Sequence, residues 1–93
     1  MTTYAIAHLT VTNPESLAAY RDKAGAALAK HGGAVVQASS DFKVLEGAPD
    51  LPTAIAVLSF PDQASAFAWK NDESLQDVHA LRMNSGKTEI VCL

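Results

Sequence analysis

The segment Ala54-Ile55-Ala56-Val57-Leu58-Ser59-Phe60 is apolar on both of the faces that an extended chain presents. Side chains alternate across a strand, so Ile55, Val57 and Ser59 share one side while Ala54, Ala56, Leu58 and Phe60 share the other. A sheet with one wet face would show polar residues in alternation, so this strand belongs to a sheet covered on both sides. Tyr4 to Val11 carries the same signature, with Tyr4 and Ile6 set against Leu9 and Val11. The chain has 93 residues, enough for one domain and too few for two cores. A domain this small buries only about 60–65 % of its unfolded surface, and an isolated monomer is marginal.

Around these strands the pattern switches twice to a helical period. Asn13-Pro14-Glu15 is a helix start, with an Asx cap, a proline where its missing N–H is harmless, and an acid at the positive end of the dipole. The spacing of Leu17, Tyr20, Ala24, Leu28 and His31 predicts a helix over 14–31, which Gly32-Gly33 ends. A second strand, 34–39, breaks at Ser40-Asp41 and is expected to resume over Phe42 to Glu46 as a hairpin with the third. Pro61-Asp62 opens a second helix with Ala64, Phe67 and Ala68 inward and Trp69 close by. The pattern resets near Asn71-Asp72, continues with Leu75, Val78 and Arg82 on one stripe and His79 beside it, and stops at Ser85-Gly86 before a last strand, Thr88 to Leu93.

The order β-α-β-β-α-β is that of an α+β, ferredoxin-like domain spanning 1–93: one antiparallel four-stranded sheet with two helices on one face. The helices leave the other face bare although it is apolar. A second copy of the chain, paired through the sheet faces, is the simplest cover, burying on the order of 800 Å² per subunit.

Several classes of function are set aside. Cys92 is the sole cysteine, so no internal disulfide forms. The N-terminus lacks a secretory pattern and no apolar run spans a bilayer, which predicts a soluble, cytoplasmic chain that does not engage membranes. The net charge is -3 and the basic residues are scattered, so nucleic acid is not an expected partner. His8, His31 and His79 lack metal-ligand spacing, and the glycines form no dinucleotide or phosphate fingerprint, so neither metal nor cofactor is expected.

Taken together, Ile6-Ala7-His8-Leu9-Thr10-Val11-Thr12-Asn13-Pro14-Glu15, Lys30-His31-Gly32-Gly33, Leu45-Glu46-Gly47, and Phe60-Pro61 leading through Ala64, Ala66 and Trp69 to Leu81-Arg82 resemble the family catalogued as domain of unknown function 1330. The resemblance covers nearly the whole chain and implies a dimeric α/β barrel, in which two ferredoxin-like subunits pair through their sheets. The chain departs from the family pattern where Lys70 follows Trp69 and where Leu75 stands in place of a tyrosine. The spacing of Trp69 and His79 is similar to that in antibiotic-biosynthesis-type monooxygenases and related haem-degrading enzymes. The first-strand asparagine of the haem degraders is absent, Ala7 and His8 occupying that region.

Four residues are candidates for a site. His8 and His79 are candidate catalytic bases, since an imidazole moves protons near neutral pH. Trp69 and Arg82 are candidate substrate-binding groups, one offering a flat wall and the other a guanidinium that has to find an acceptor if buried. Structural counterparts stand beside them: a hydrogen-bonded core or interface histidine for His8, a core tryptophan, and an arginine paired with Glu46, Glu73, Glu89 or the C-terminal carboxylate. The leading expectation is a homodimer binding a small molecule in the cleft between helices and sheet. The alternatives are a cofactor-independent monooxygenase or isomerase of the antibiotic-biosynthesis type and a structural or regulatory dimer without a ligand.

Overall fold

The computed structural model describes all of residues 1–93. The elements run β1 (Thr3–Val11), α1 (Pro14–Ala29), β2 (Ala34–Ser39), β3 (Ala54–Phe60), α2 (Gln63–Asn71), a 3-10 turn (Glu73–Leu75), α3 (Gln76–Asn84) and β4 (Gly86–Cys92). The sheet order is β2-β3-β1-β4 with every neighbour antiparallel, which is the ferredoxin-like α+β arrangement. The second helix is broken, α2 and α3 meeting at the reset near Asp72. No helix is long and apolar enough to cross a membrane.

The caps act as the sequence foreshadows. Asn13 Oδ1 accepts from the Ser16 N–H at 3.2 Å, and Asp62 Oδ1 accepts from the Ser65 N–H at 2.7 Å. The end of α1 closes in a Schellman turn: Gly33 N–H donates to Leu28 O at 2.8 Å and Gly32 N–H to Ala29 O at 3.1 Å, with Gly32 at φ 73°. That turn takes in Lys30 and His31, which directly follow the last residue of α1, Ala29.

The face of the sheet that meets the helices is built from small residues at its centre. Ala7 stands opposite Ala56, and Leu9 opposite Ala54. These let Leu17, Tyr20 and Leu28 of α1, Trp69 of α2 and Val78 of α3 close over Leu58 and Phe60 in one core. The other face carries Tyr4, Ile6, His8 and Thr10 from β1, with Val57, Ile6 and Val91 forming a row across three strands. Nothing in the chain covers that row, and Val91 is 61 % exposed.

Two expectations fail. Phe42 to Glu46 forms no strand, and 40–53 is irregular. Continuing the register of Ala38 with Ala56 and Ser39 with Ile55 would set Phe42 against Pro52 and Leu45 against Pro49. A proline has no N–H to donate, so the ladder stops. Within α2 the buried residues are Ala66 and Trp69, whereas Ala64, Phe67 and Ala68 are exposed. A helix of two and a half turns can turn only one of its two aromatic rings into the core, and the larger one goes in.

Two glycines make a matched test of these packing arguments. A Cβ at Gly33 would lie 2.8 Å from Phe60 Cε1, whereas one at Gly25, within α1, would meet nothing within 4 Å. Gly33→Ala is expected to lower the unfolding free energy by about 1–3 kcal/mol through overpacking. Gly25→Ala should raise it by about 0.5–1 kcal/mol through helix propensity. Urea denaturation of both variants measures the two shifts.

Candidate functional site

Where a helix breaks, the carbonyls of its last turn lose their partners and need others. At the break after α2, α3 supplies them with side chains. Gln76 Nε2 donates to Lys70 O at 3.2 Å and to Asp72 O at 2.9 Å, and His79 Nε2 lies 2.8 Å from Trp69 O. Because a carbonyl only accepts, His79 carries its proton on Nε2, which leaves Nδ1 with a lone pair. That lone pair accepts from Arg82 Nη1 at 2.9 Å.

His79 is thus a neutral imidazole with both nitrogens engaged inside the protein. Its surroundings favour that state. The residue is 0 % exposed, and burial pushes its pKa below the ordinary histidine value, helped by the Arg82 charge and opposed by the Trp69 hydrogen bond. The ring stands edge-on to the Trp69 indole at 4.7 Å between centroids.

Arg82 is 2 % exposed and forms no ion pair. The carboxylate expected from the sequence is not there. Glu89 points from the opposite face of β4, across from His8, while Glu46 and Glu73 are exposed in the irregular loop and the 3-10 turn. The C-terminal residue is engaged elsewhere, its O accepting from Thr3 and Gln63. Aromatic faces take the carboxylate's place: the guanidinium carbon lies 5.0 Å from the Trp69 ring centroid and 5.5 Å from that of Tyr20. Tyr20 also accepts a long hydrogen bond from Nη1 at 3.4 Å. Two donors remain buried without an acceptor, Arg82 Nε and Trp69 Nε1. Such orphans are uncommon in native proteins and each calls for an explanation.

Both residues border a cavity of about 250 Å³ between the broken helix and the β1–β4 side of the sheet. Eight of its eleven lining residues are hydrophobic. Phe67 and Trp69 come from α2, Met83 from α3, and Thr88, Ile90 and Cys92 from β4. Exposed Lys70 also contributes.

The four candidates therefore separate. Trp69, His79 and Arg82 come together, whereas His8 lies on the other face of the sheet, exposed, between Ile55 and Glu89. Tyr20, Lys70 and Thr88 were not anticipated as site residues. Tyr20 was visible only as a member of a buried helix stripe, and Thr88 had no signal at all. No group of three or more His, Cys, Asp or Glu side chains is placed to hold a metal ion.

A second cluster fastens the break from outside. Asp72 meets Lys30 and His31 of the α1 turn, each at 2.8 Å, and also accepts from Ser74. The hydrogen bonds from Lys30, Ser74 and His31, in that order, hold its carboxyl well below the usual carboxylate range.

The depressed His79 pKa makes stability fall on acidification. Above the unfolded value of about 6.5 the ring is neutral in both states; below it the unfolded chain binds a proton that the folded chain refuses, so folding weakens toward the lower folded pKa. In His79→Gln, which keeps a donor and an acceptor, this contribution disappears. Its stability deficit relative to the parent should be largest at pH 8 and shrink toward pH 5, measured as urea midpoints at each pH.

Residues 2–93 match the family described as domain of unknown function (DUF1330). Comparison with proteins of curated function finds no match. Among solved structures, a protein of unknown function from Rhodopseudomonas palustris superposes with a TM-score of 0.76 at 17 % identity, covering 99 % of this chain and 80 % of that one. SnoaB, a cofactor-independent oxygenase from Streptomyces nogalater, gives 0.71 at 11 % identity, with 99 % and 90 % coverage. A dimeric ferredoxin-like protein of unknown function from Jannaschia sp. CCS1 gives 0.63 at 14 % identity, with 100 % and 98 % coverage. At these identities the likeness is one of fold, while the match across 2–93 carries the assignment: the chain belongs to the DUF1330 family.

Proposed function

We propose that this protein binds a small molecule in the cavity beside Trp69 and Arg82, and does so as a homodimer joined through the bare face of the sheet. The observation that carries the binding reading is an apolar cavity lined by two residues, Trp69 and Arg82, that each hold a buried donor without an acceptor. Ligand sites commonly join an apolar lining to a few convergent polar groups in this way. A fully packed structural core would have no such space, and a guanidinium inside it would be paired.

The dimer reading rests on the row Val57, Ile6 and Val91, flanked by half-exposed Tyr4 and partly buried Ile55. The Jannaschia protein, of the same fold, is dimeric. His8 belongs to this partner-facing side and has no part in the cavity.

Turnover is the weaker reading. The fold likeness to SnoaB keeps a cofactor-independent oxygenase or isomerase in view. An enzyme of that kind needs a base beside its substrate, and His79 has its free lone pair committed to Arg82. His79 accordingly acts here as a positioning residue that holds the guanidinium at the cavity wall.

Trp69 is the sole tryptophan, so its fluorescence reports on the cavity directly. Titration with a set of small apolar molecules should quench or shift it saturably, and Thr88→Leu, which fills the cavity from β4, should weaken that binding at least about tenfold. An unchanged spectrum across the set, with no thermal shift, would favour a structural dimer without a ligand. Light scattering at micromolar concentration should give twice the chain mass, falling to one in Val91→Glu. A parent protein of single-chain mass refutes the assembly.

A further inference from the structure

We infer that the ligand is a carboxylate: a monoanion with an apolar body of one ring or a short acyl chain, gripped side-on by Arg82. The inference rests on the binding reading above and names its chemistry.

The first argument is geometric. A guanidinium presents five N–H donors in a planar fork, and the edge formed by Nε and Nη2 matches the two oxygens of a carboxylate. In this protein both hydrogen bonds made by Arg82 leave from Nη1, toward His79 Nδ1 and Tyr20 Oη. Those bonds anchor the opposite corner of the fork and leave the Nε edge unused, with Nε itself buried and without an acceptor. His79 cannot turn away to release Arg82 without giving up its bond to Trp69 O. The fork is held in place before any ligand arrives.

The second argument is charge. The cavity lining contains Lys70 and Arg82 and no carboxylate, and neither cation takes part in any of the chain's ion pairs. His79, neutral and outside the lining, supplies no negative charge. A guanidinium this far out of water interacts more strongly with an anion than with a neutral acceptor, since charge-assisted hydrogen bonds are about twice as strong as neutral ones. The Trp69 Nε1–H, on another residue of the lining, is also buried without an acceptor, so no protein carbonyl or carboxylate competes for this donor.

The third argument is size. A dry cavity of about 150 Å³ holds benzene, and drug-sized ligands occupy roughly 300–1,000 Å³. At about 250 Å³ this one has room for a ring plus a carboxylate.

The test compares benzoate, phenylacetate and hexanoate with their primary amides and with the corresponding amines, read by Trp69 fluorescence and calorimetry on the unmodified protein. The carboxylates should bind at least about tenfold tighter than the amides, with amines weaker still. Arg82→Met should abolish the preference. In case that variant fails to fold, exposed Lys70→Met should weaken the carboxylates alone, by about two- to fivefold, with the parent's loss of affinity in added salt reduced. Equal binding of carboxylates and amides, or a preference for amines, overturns the inference while leaving the cavity as a binding site. Failure of every member of the series to perturb Trp69 overturns both.

Discussion

A neutral imidazole links the two halves of the broken second helix, and the arrangement of Trp69 and Arg82 depends on it. His79 gives its only proton to the Trp69 carbonyl and offers its only lone pair to Arg82. The first bond satisfies a carbonyl that the helix break would strand; the second fixes a guanidinium in an apolar layer. One residue thus solves a backbone problem and an orientation problem together. Protonation would remove the acceptor that Arg82 uses and set two positive charges side by side, and burial opposes it. The exterior ties at Asp72 protect the same junction, tying it to the C-terminal turn of α1. At the far end of α3, Ser85 Oγ donates to Arg82 O, and the Ser85 carbonyl accepts from Thr12 and Asn13. The segment carrying His79 and Arg82 is therefore pinned at both ends.

The sheet divides labour between its faces by side-chain size. Alanines on the central strands bring the helices close where the core is dense, and the cavity opens toward β4, where Thr88, Ile90 and Cys92 meet the helix break instead of a continuous helix. On the other face larger β-branched residues stand in rows, the composition expected of a surface that meets a second sheet. A chain of this length would gain more from such a cover than a larger one, because so much of its surface otherwise stays wet.

Much of this was legible from residue order. The helix caps at Asn13 and Asp62, the glycine stop at 32–33, and the reset at Asp72 all rest on local chemistry that needs no partner, and each is where the sequence places it. A local pattern misleads where its outcome depends on a distant one. Phe42 to Glu46 has the composition of a strand, but a strand exists only through its neighbour, and that neighbour was two prolines. Phe67 and Trp69 are both apolar, and which of them is buried depends on where α2 lies against Phe60, 5.6 Å from the Trp69 ring.

By itself, then, the sequence determined the element order, the ferredoxin-like topology and the apolar character of both sheet faces, because periodicity, caps and turns act over a few residues. Tertiary structure alone decided which side His8 occupies and what Arg82 touches. With both faces apolar, alternation carries no phase, so nothing in β1 says whether His8 looks toward the helices or away. With three acidic side chains in reach by composition, nothing local says that strand pairing and the helix break turn all of them elsewhere and leave the guanidinium to two aromatic rings, a histidine and an open cavity.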